Sequence, residues 1–214
     1  MQYLSVSDYL KRVYQTKVYK LSLTSGCTCP NRDGTIGYDG CTFCSEGGSG
    51  EYAAPNLSIA DQIRIAREKV DPKISNQILP ENRKYIAYFQ SYTNTYGDVD
   101  RLRHLYTETI KEEQVVILSI GTRADCLSDE MIHMLSDLNK IKPVWIELGL
   151  QTIHEKTARQ IHRGYSLDVF HQSYLRLKEA GLTVIVHTIL YLPGESEDDM
   201  LETVRYLAHL KPQI

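Results

Sequence analysis

The sequence predicts an α/β protein whose parallel strands form an incomplete barrel or an open, doubly wound sheet. From residue 17 onward, short apolar runs rich in β-formers alternate with segments that carry apolar residues at helical spacing. The runs are nearly continuous, which is typical of strands buried on both faces of a parallel sheet. In both architectures ligands bind at the carboxyl ends of the strands, so the loops that follow the strands are expected to carry the chemistry.

The alternation predicts five or six β/α units. The predicted strands cover residues 18–23, 85–90, 115–120, 144–148 and 183–190. Apolar residues three or four apart predict helices that include Ile59 to Val70, Leu102 to Thr109, Ile132 to Leu138 and Phe170 to Leu177. A further helix is predicted over 197–210, and a short one over 8–14 is expected to pack across an end of the barrel.

Capping residues mark the ends of several predicted helices. The spacing of a capping box occurs at Ser58 with Asp61 and again at Ser196 with Asp199. The other marked ends are the predicted N-caps Ser128 and Ser166 and the C-terminal stop Gly181. The helical segments therefore have local start and stop signals that agree with their apolar periodicity.

Composition indicates one domain and gives no general attraction for nucleic acid. A chain of 214 residues with 42% hydrophobic content is long enough for one core and short for two. With a net charge of −3, a nucleic-acid substrate would have to be held by a local patch or by a further segment. Lys11, Arg12, Lys17 and Lys20 are candidates for such a patch, although such residues usually solvate a surface. The absence of a long apolar run predicts a cytoplasmic protein with no membrane partner.

Four of the five cysteines lie in the loop after the first predicted strand, at Cys27, Cys29, Cys41 and Cys44. Such crowding suits metal ligation in a reducing compartment better than a disulfide framework. Three thiolates in one loop can hold an iron–sulfur cluster and leave one iron open. The pairs Cys-x-Cys and Cys-x-x-Cys can instead complete a tetrahedral zinc site. The remaining cysteine, Cys126, is expected to pack as a small apolar residue.

The cysteine loop and several later motifs resemble a known family. Residues 29–35, Cys-Pro-Asn-Arg-Asp-Gly-Thr, and 40–44, Gly-Cys-Thr-Phe-Cys, resemble the cluster loop of radical S-adenosylmethionine (SAM) enzymes similar to the catalytic subunit of the elongator complex, in particular its uncharacterised bacterial relatives. Segments 88–96, 121–126, 147–152, 163–165 and 192–195 extend the resemblance almost end to end. It implies a partial (β/α)5–6 TIM-like barrel of the radical SAM type over residues 1–214.

The resemblance implies a [4Fe-4S] cluster on Cys29, Cys41 and Cys44, with Cys27 not a ligand. It also implies a set of SAM-contacting residues, namely Phe43 at the adenine, Gln90 and Ser91 near the amino group, Arg123 at the carboxylate, and Glu147 and Gln151 at the ribose and methionine. Many radical SAM enzymes end the second strand in Gly-Gly-Glu, whereas this chain has Gln90-Ser91-Tyr92, so backbone carbonyls are expected to bind the amino group there.

Several of these residues also have ordinary structural interpretations. Phe43 is equally suited to the core, and Arg123 to an ion pair with Asp125. A carboxylate as deeply placed as Glu147 requires a partner, either a ligand hydroxyl or an arginine. Arg163 fits a solvated basic turn, and His187 a hydrogen-bonded core histidine.

The activity implied by the resemblance is reductive cleavage of SAM to a 5′-deoxyadenosyl radical that abstracts hydrogen from a substrate. The implied partners are a one-electron donor, such as flavodoxin or ferredoxin, and tRNA, since related enzymes modify wobble uridines. Two alternatives stay open, a small-molecule substrate and a zinc-stabilised binding module without catalysis. Because the alternation calls for a further strand beyond residue 212, the natural protein is expected to have a C-terminal extension, or this form to self-associate through its last strand.

Overall fold

Strands and helices alternate along the computed structural model, which describes residues 4–212. The strands are β1 (Val18–Leu23), β2 (Lys84–Phe89), β3 (Val115–Thr122), β4 (Val144–Gln151) and β5 (Thr183–Thr188). The α-helices are α1 (Val6–Tyr14), α2 (Ile59–Val70), α3 (Val99–Lys111), α4 (Asp129–Asn139), α5 (Glu155–Gln160), α6 (Leu167–Glu179) and α7 (Glu197–Leu210). Short 3₁₀ turns cover Asp71–Lys73, Pro80–Asn82 and Ala124–Cys126. The predicted order of strands and helices is confirmed.

The differences from the predicted elements lie at strand ends and in one short helix. Strand β4 continues to Gln151 because a register shift after Gly149 keeps Gln151 paired with Thr188 of β5. Strand β5 ends at Thr188, earlier than predicted, and β2 ends at Phe89. Helix α5 has six residues, too few to show an apolar period. Residues 213 and 214, after which a further strand was expected, lie outside the described residues.

The five strands form one parallel sheet in the order β1-β2-β3-β4-β5. Three strand spacings separate β1 from β4, which is about 14 Å in a flat sheet. Yet Lys20 Nζ of β1 lies 2.6 Å from Glu147 Oε1 of β4. The sheet is therefore strongly curved around these two side chains, and it forms a partial barrel with β1 and β5 as its edges.

Serine caps fix the helix starts around the sheet. The hydroxyls of Ser58, Ser128, Ser166 and Ser196 each accept the backbone N–H three residues later. At Ser196 the reciprocal bond to Asp199 completes a capping box. At Ser58 the hydroxyl instead donates to the Asp61 carboxylate at 2.7 Å. Gly181 follows α6 with φ +75°, as expected of a C-terminal stop.

The two faces of the sheet differ in composition. The outer face, towards the helices, carries one fully buried apolar row formed by Leu23, Phe89, Ile120, Ile146 and Val184. Inside the barrel, an apolar floor is formed by Val18, Ile86, Ile117 and Trp145, with Leu10 of α1 packed on it. Helix α1 therefore closes the amino-terminal end of the barrel, as predicted. Among the described residues, no helix has the length and apolarity needed to cross a membrane.

Candidate active site

The cysteine loop begins where β1 ends and folds back on itself. The carbonyl of Cys29 accepts the amides of Arg32 and Asp33, and Gly40 N–H donates to the Asn31 carbonyl at 2.8 Å. Gly40 has φ +74°, and a Cβ there would lie 2.8 Å from the Arg32 guanidine. Glycine is favoured at this point because the positive backbone angle strains other residues, and any side chain would also have to displace the Arg32 guanidine.

Three of the four loop cysteines line one cavity of about 250 Å³ at the carboxyl ends of the strands. These are Cys29, Cys41 and Cys44, whereas Cys27 is buried in the core between sheet and helices. The Cys27 Sγ accepts a hydrogen bond from Arg101 Nη2 at 3.1 Å. The structure thus separates Cys27 from the other three thiols.

The environment of Cys41 and Cys44 shifts the pKa values of their thiols in opposite directions. A hydrogen bond from the Cys41 thiol, together with Ser49 and the charges of Arg32 and Arg123, lowers the pKa of Cys44 to about 6 despite its burial. The same contact with Cys44, and burial, raise the pKa of Cys41. Asn31 Nδ2 donates to Cys41 Sγ at 3.2 Å. Thiolates are the form that ligates metals, and of these two thiols Cys44 is the one whose thiolate is favoured.

The three thiols together are not gathered as closely as the ligands of one zinc ion would be. Sulfurs that share one tetrahedral zinc at 2.3 Å lie about 3.8 Å apart. Among the described residues, Cys29, Cys41 and Cys44 do not form a group whose ligand atoms all lie within 4.8 Å of one another. A [4Fe-4S] cluster spreads its thiolates over three different irons, and its fourth iron stays open.

The residues predicted to contact SAM meet at the same cavity, with one exception. The cavity is lined by Phe43, Gln90, Arg123, Glu147 and Gln151. Ser91 is buried beside them but is not among the lining residues. Gln90 is held in place because its Nε2 donates to the Ser49 carbonyl at 2.6 Å.

Arg123 and Gln151 are both held by their neighbours at the cavity wall. The Arg123 guanidinium binds Asp125 through two hydrogen bonds of 2.9 and 2.8 Å and lies over the ring of Tyr165. The alternative of an Arg123–Asp125 ion pair is therefore present together with the cavity position. Gln151 has φ +62°, and its Oε1 accepts from the Tyr165 hydroxyl at 3.4 Å.

Arg163 is a buried structural residue, which corrects the interpretation of a solvated turn. Its side chain is 1% exposed, and it donates to the carbonyls of Leu150, Thr152 and Tyr165. The Leu150 and Thr152 carbonyls lie where β4 ends, and that of Tyr165 lies between α5 and α6. Arg163 therefore fixes the carboxyl end of β4, on which Gln151 sits.

Below the cavity, five residues of the inner strand faces form an interior cluster: Lys20, Tyr88, Ser119, Glu147 and His187. Glu147 is 3% exposed and lies within β4, not after it. Its Oε1 accepts from Lys20 Nζ and Ser119 Oγ, both at 2.6 Å, and its Oε2 lies 2.8 Å from His187 Nε2. Burial favours the neutral acid, but the His187 hydrogen bond and Lys20 outweigh it and lower the pKa of Glu147 to about 2.

Sequence reasoning missed most of the interior cluster. Lys20 was assigned to a surface patch, yet its ammonium lies inside the barrel, 4.0 Å from the centre of the Tyr88 ring. His187 is hydrogen-bonded, as expected, but it also lines the cavity. The available signal was polar residues at alternate positions within otherwise apolar strands, such as Ser119 next to Leu118.

Comparison with known proteins decides the family. A profile described as the Radical SAM superfamily matches residues 25–207. The chain belongs to this superfamily. Radical SAM proteins are enzymes that use a [4Fe-4S] cluster and SAM and generally need a reductant. This membership replaces the alternative of a zinc-stabilised module without catalysis.

The curated relatives match most of this chain but only part of their own length. Protein YtqA of Bacillus subtilis (strain 168) is 38% identical over 213 residues, which are 99% of this chain and 64% of that protein. Protein YhcC of Escherichia coli (strain K12) is 38% identical, over 91% of this chain and 60% of its own length. A probable threonylcarbamoyladenosine tRNA methylthiotransferase of Methanocaldococcus jannaschii is 25% identical, over 77% and 40%. The chain spans about three fifths of YtqA and YhcC.

Solved structures of radical SAM enzymes share the fold. Archaeal Elp3 of Methanocaldococcus infernus, with an N-terminal deletion, has a TM-score of 0.58 at 18% identity, covering 89% of this chain and 42% of that one. Coproporphyrinogen III oxidase (HemN) of Escherichia coli has a TM-score of 0.57 at 16% identity, covering 98% and 46%. The predicted partial TIM-like barrel of the radical SAM type is thus confirmed.

Proposed function

We propose that Cys29, Cys41 and Cys44 bind the [4Fe-4S] cluster and that SAM lies in the adjoining cavity. One observation carries this proposal: the three thiols and the polar strand ends line a single cavity, while Cys27 packs in the core. When bound, the reduced cluster supplies the electron that splits SAM into methionine and a 5′-deoxyadenosyl radical, which abstracts hydrogen from the substrate.

The chain's own residues would bind and orient SAM. Arg123, held by Asp125 and Tyr165, meets the SAM carboxylate, because a planar guanidinium matches a carboxylate. The backbone at Gln90 and Ser91 accepts the amino group. Further contacts are assigned to Phe43, at the adenine, and to Gln151, at the ribose and methionine.

Glu147 has a different part in this proposal. It lines the cavity, but its two oxygens already accept bonds from Lys20, Ser119 and His187. Its partners are these side chains and not the arginine or ligand hydroxyl anticipated from the sequence. We therefore assign no direct hydrogen bond between Glu147 and SAM. In this proposal, Glu147 acts on SAM only through the charges of the Glu147–Lys20 pair.

The proposed substrate is tRNA, modified at a wobble uridine, and the proposed electron donor is flavodoxin or ferredoxin in the cytoplasm. Support for tRNA as the substrate comes from the similarity to the tRNA methylthiotransferase. A second cavity shares Gly40 with the first, and its lining includes Tyr38, Arg159 and His162 beside Asp39. Its aromatic ring and arginine could contact a base and a phosphate of RNA. In this proposal, residues 1–214 are the catalytic core of a longer protein.

The proposal is tested by anaerobic reconstitution with iron and sulfide, followed by incubation with SAM, dithionite and bulk tRNA from cells that lack the gene. We expect 5′-deoxyadenosine in the reaction and a changed nucleoside in the digested tRNA, both measured by mass spectrometry. The Cys44→Ala variant, treated identically, should form neither. A reconstituted cluster with no 5′-deoxyadenosine would contradict the SAM site. Release of 5′-deoxyadenosine that responds to a small-molecule extract but never to tRNA would contradict the substrate.

A further inference from the structure

Glu147 is fixed from three sides and in turn fixes His187. Lys20 Nζ and Ser119 Oγ both donate to Oε1 at 2.6 Å, which restrains the orientation of the carboxylate. Its other oxygen, Oε2, faces His187 Nε2 at 2.8 Å. An ionised carboxylate only accepts hydrogen bonds, so Nε2 must carry the proton. In the neutral imidazole, Nδ1 is then the hydrogen-bond acceptor.

The imidazole is the more exposed partner of a buried carboxylate, and both line the cavity. The Glu147 side chain is 2% exposed, while that of His187 is 47% exposed and lines the cavity with the three cysteines. A carboxylate that orients an imidazole, whose other nitrogen faces the reacting group, is the arrangement that enzymes use for proton transfer.

The other titratable groups of the cluster are less suited to accept a proton. Lys20 of β1 is bound to Glu147, and its ammonium has no lone pair. Burial and the nearby charge of Glu147 raise the pKa of Tyr88 on β2, so its phenol stays neutral. These two residues and Glu147 are the charged or titratable members of the cluster around His187.

We propose that His187 is the proton acceptor of this active site, with Glu147 as a positioning residue whose charge Lys20 balances. The inference rests on the proposed function, since the substrate enters the same cavity. The substrate's O–H or N–H bond breaks, its electron pair stays on the oxygen or nitrogen, and the proton forms a bond to Nδ1. No electron is exchanged in this step, and Glu147 stabilises the resulting imidazolium.

The substrate class follows from the radical chemistry. Removal of a hydrogen atom from a carbon makes an O–H or N–H on that carbon more acidic. A base beside the carbon then lets the radical lose the proton and react further. We therefore assign to this site a substrate with a hydroxyl or amino group on the carbon that loses hydrogen.

The first test needs no substrate or cluster. Long-range ¹⁵N–¹H correlation spectra of histidine-labelled protein report which nitrogen of His187 is protonated, with His187→Gln used for assignment. We expect the Nε2–H tautomer in the wild type and a mixture of tautomers in Glu147→Gln. An Nδ1–H tautomer in the wild type, or a spectrum that Glu147→Gln leaves unchanged, overturns the inference.

The second test measures coupling between SAM cleavage and product. With bulk tRNA from cells lacking the gene, the ratio of 5′-deoxyadenosine to modified nucleoside should rise about 100-fold in His187→Gln, the contribution typical of a general base. The control is His171→Gln, because His171 bonds to Tyr206 on α7, outside the cavity, and this variant should keep the wild-type ratio. A His187→Gln ratio within threefold of wild type overturns the inference. If wild-type enzyme cleaves SAM but changes no tRNA nucleoside, the tRNA proposal fails, and the spectra alone decide the role of His187.

Discussion

The outer and inner faces of the same five strands carry different kinds of residue. At matching register, Phe89, Ile120 and Ile146 of the outer face are apolar and fully buried. One position before Phe89 and Ile120, and one position after Ile146, the inner face presents Tyr88, Ser119 and Glu147. Because successive side chains point to opposite faces, a strand can pack the core with one set and leave the other for chemistry. In this sheet, a residue that packs in the core and a polar residue that faces the barrel interior are direct neighbours in the sequence.

The cysteine loop repeats this division. Cys27 joins the apolar core beside Arg101, while Cys29, Cys41 and Cys44 face the cavity. Cys27 and Cys29 are only two positions apart, yet one packs in the core and the other is a proposed ligand. Substitutions on the two sides should therefore have different consequences, and the four predictions below follow from that expectation.

The largest effect is expected for the ligands. Each of Cys29→Ala, Cys41→Ala and Cys44→Ala should lose nearly all cluster iron and all 5′-deoxyadenosine formation, because a [4Fe-4S] cluster needs its three thiolates. The matched control, Cys27→Ala, should keep its iron and lose only stability. Iron and sulfide per chain after anaerobic reconstitution measure the difference. Equal iron loss in Cys27→Ala and Cys29→Ala would remove the distinction between core and cavity cysteines.

Adjacent residues of β3 provide the next comparison. Leu118→Ala empties a fully buried outer position and should lower the free energy of unfolding by about 2–5 kcal/mol. Ser119→Ala removes one hydrogen bond to Glu147 and should cost about 1 kcal/mol. Denaturant unfolding of the metal-free protein measures both. A larger loss for Ser119→Ala would show that the interior cluster, and not the outer core, dominates stability.

Acid should weaken the interior cluster. The pKa of Glu147 is lowered from 4.5 to about 2, so its contribution is complete above pH 4.5 and is lost as the pH falls towards 2. Between pH 6 and pH 3 we expect the wild type to lose about 2 kcal/mol more unfolding free energy than Glu147→Gln. Urea unfolding of the metal-free proteins at both pH values gives this difference. Equal losses would mean that Glu147 is not held ionised in the folded state.

The smallest effect is expected at the cavity wall. Arg123→Lys keeps the positive charge but removes the planar fork, and it should weaken SAM binding about tenfold while cluster content stays constant. Equilibrium binding of SAM to the reconstituted proteins measures this. Lys156→Arg on α5, which is outside the cavity lining, serves as the control. Unchanged SAM affinity in Arg123→Lys would assign Arg123 to its ion pair with Asp125 alone.

The fold was largely predictable because its signals are local. Apolar runs, helical periods and the serines at 58, 128, 166 and 196 lie close together in sequence, and each is confirmed at its position. The strand ends were less predictable. The extension of β4 to Gln151 depends on a bulge against β5, which is a property of strand pairing.

The candidate site was predictable where motifs are contiguous and unpredictable where curvature creates contacts. The cavity positions of Cys29, Cys41 and Cys44 follow from one loop. The contact between Lys20 and Glu147 joins residues 127 positions apart and exists only because the sheet curls. No local sequence pattern predicts how strongly the sheet curves. From the sequence alone, Lys20 is therefore interpreted as a surface charge. The assignment of SAM contacts to individual residues stays a prediction.

The closed floor has a consequence for access. Helix α1 packs on Trp145 and its neighbours, so the amino-terminal end of the barrel is covered. The cavity that His187 lines lies instead at the carboxyl ends of the strands. In the proposed arrangement, SAM and the substrate would therefore approach from the same side of the sheet.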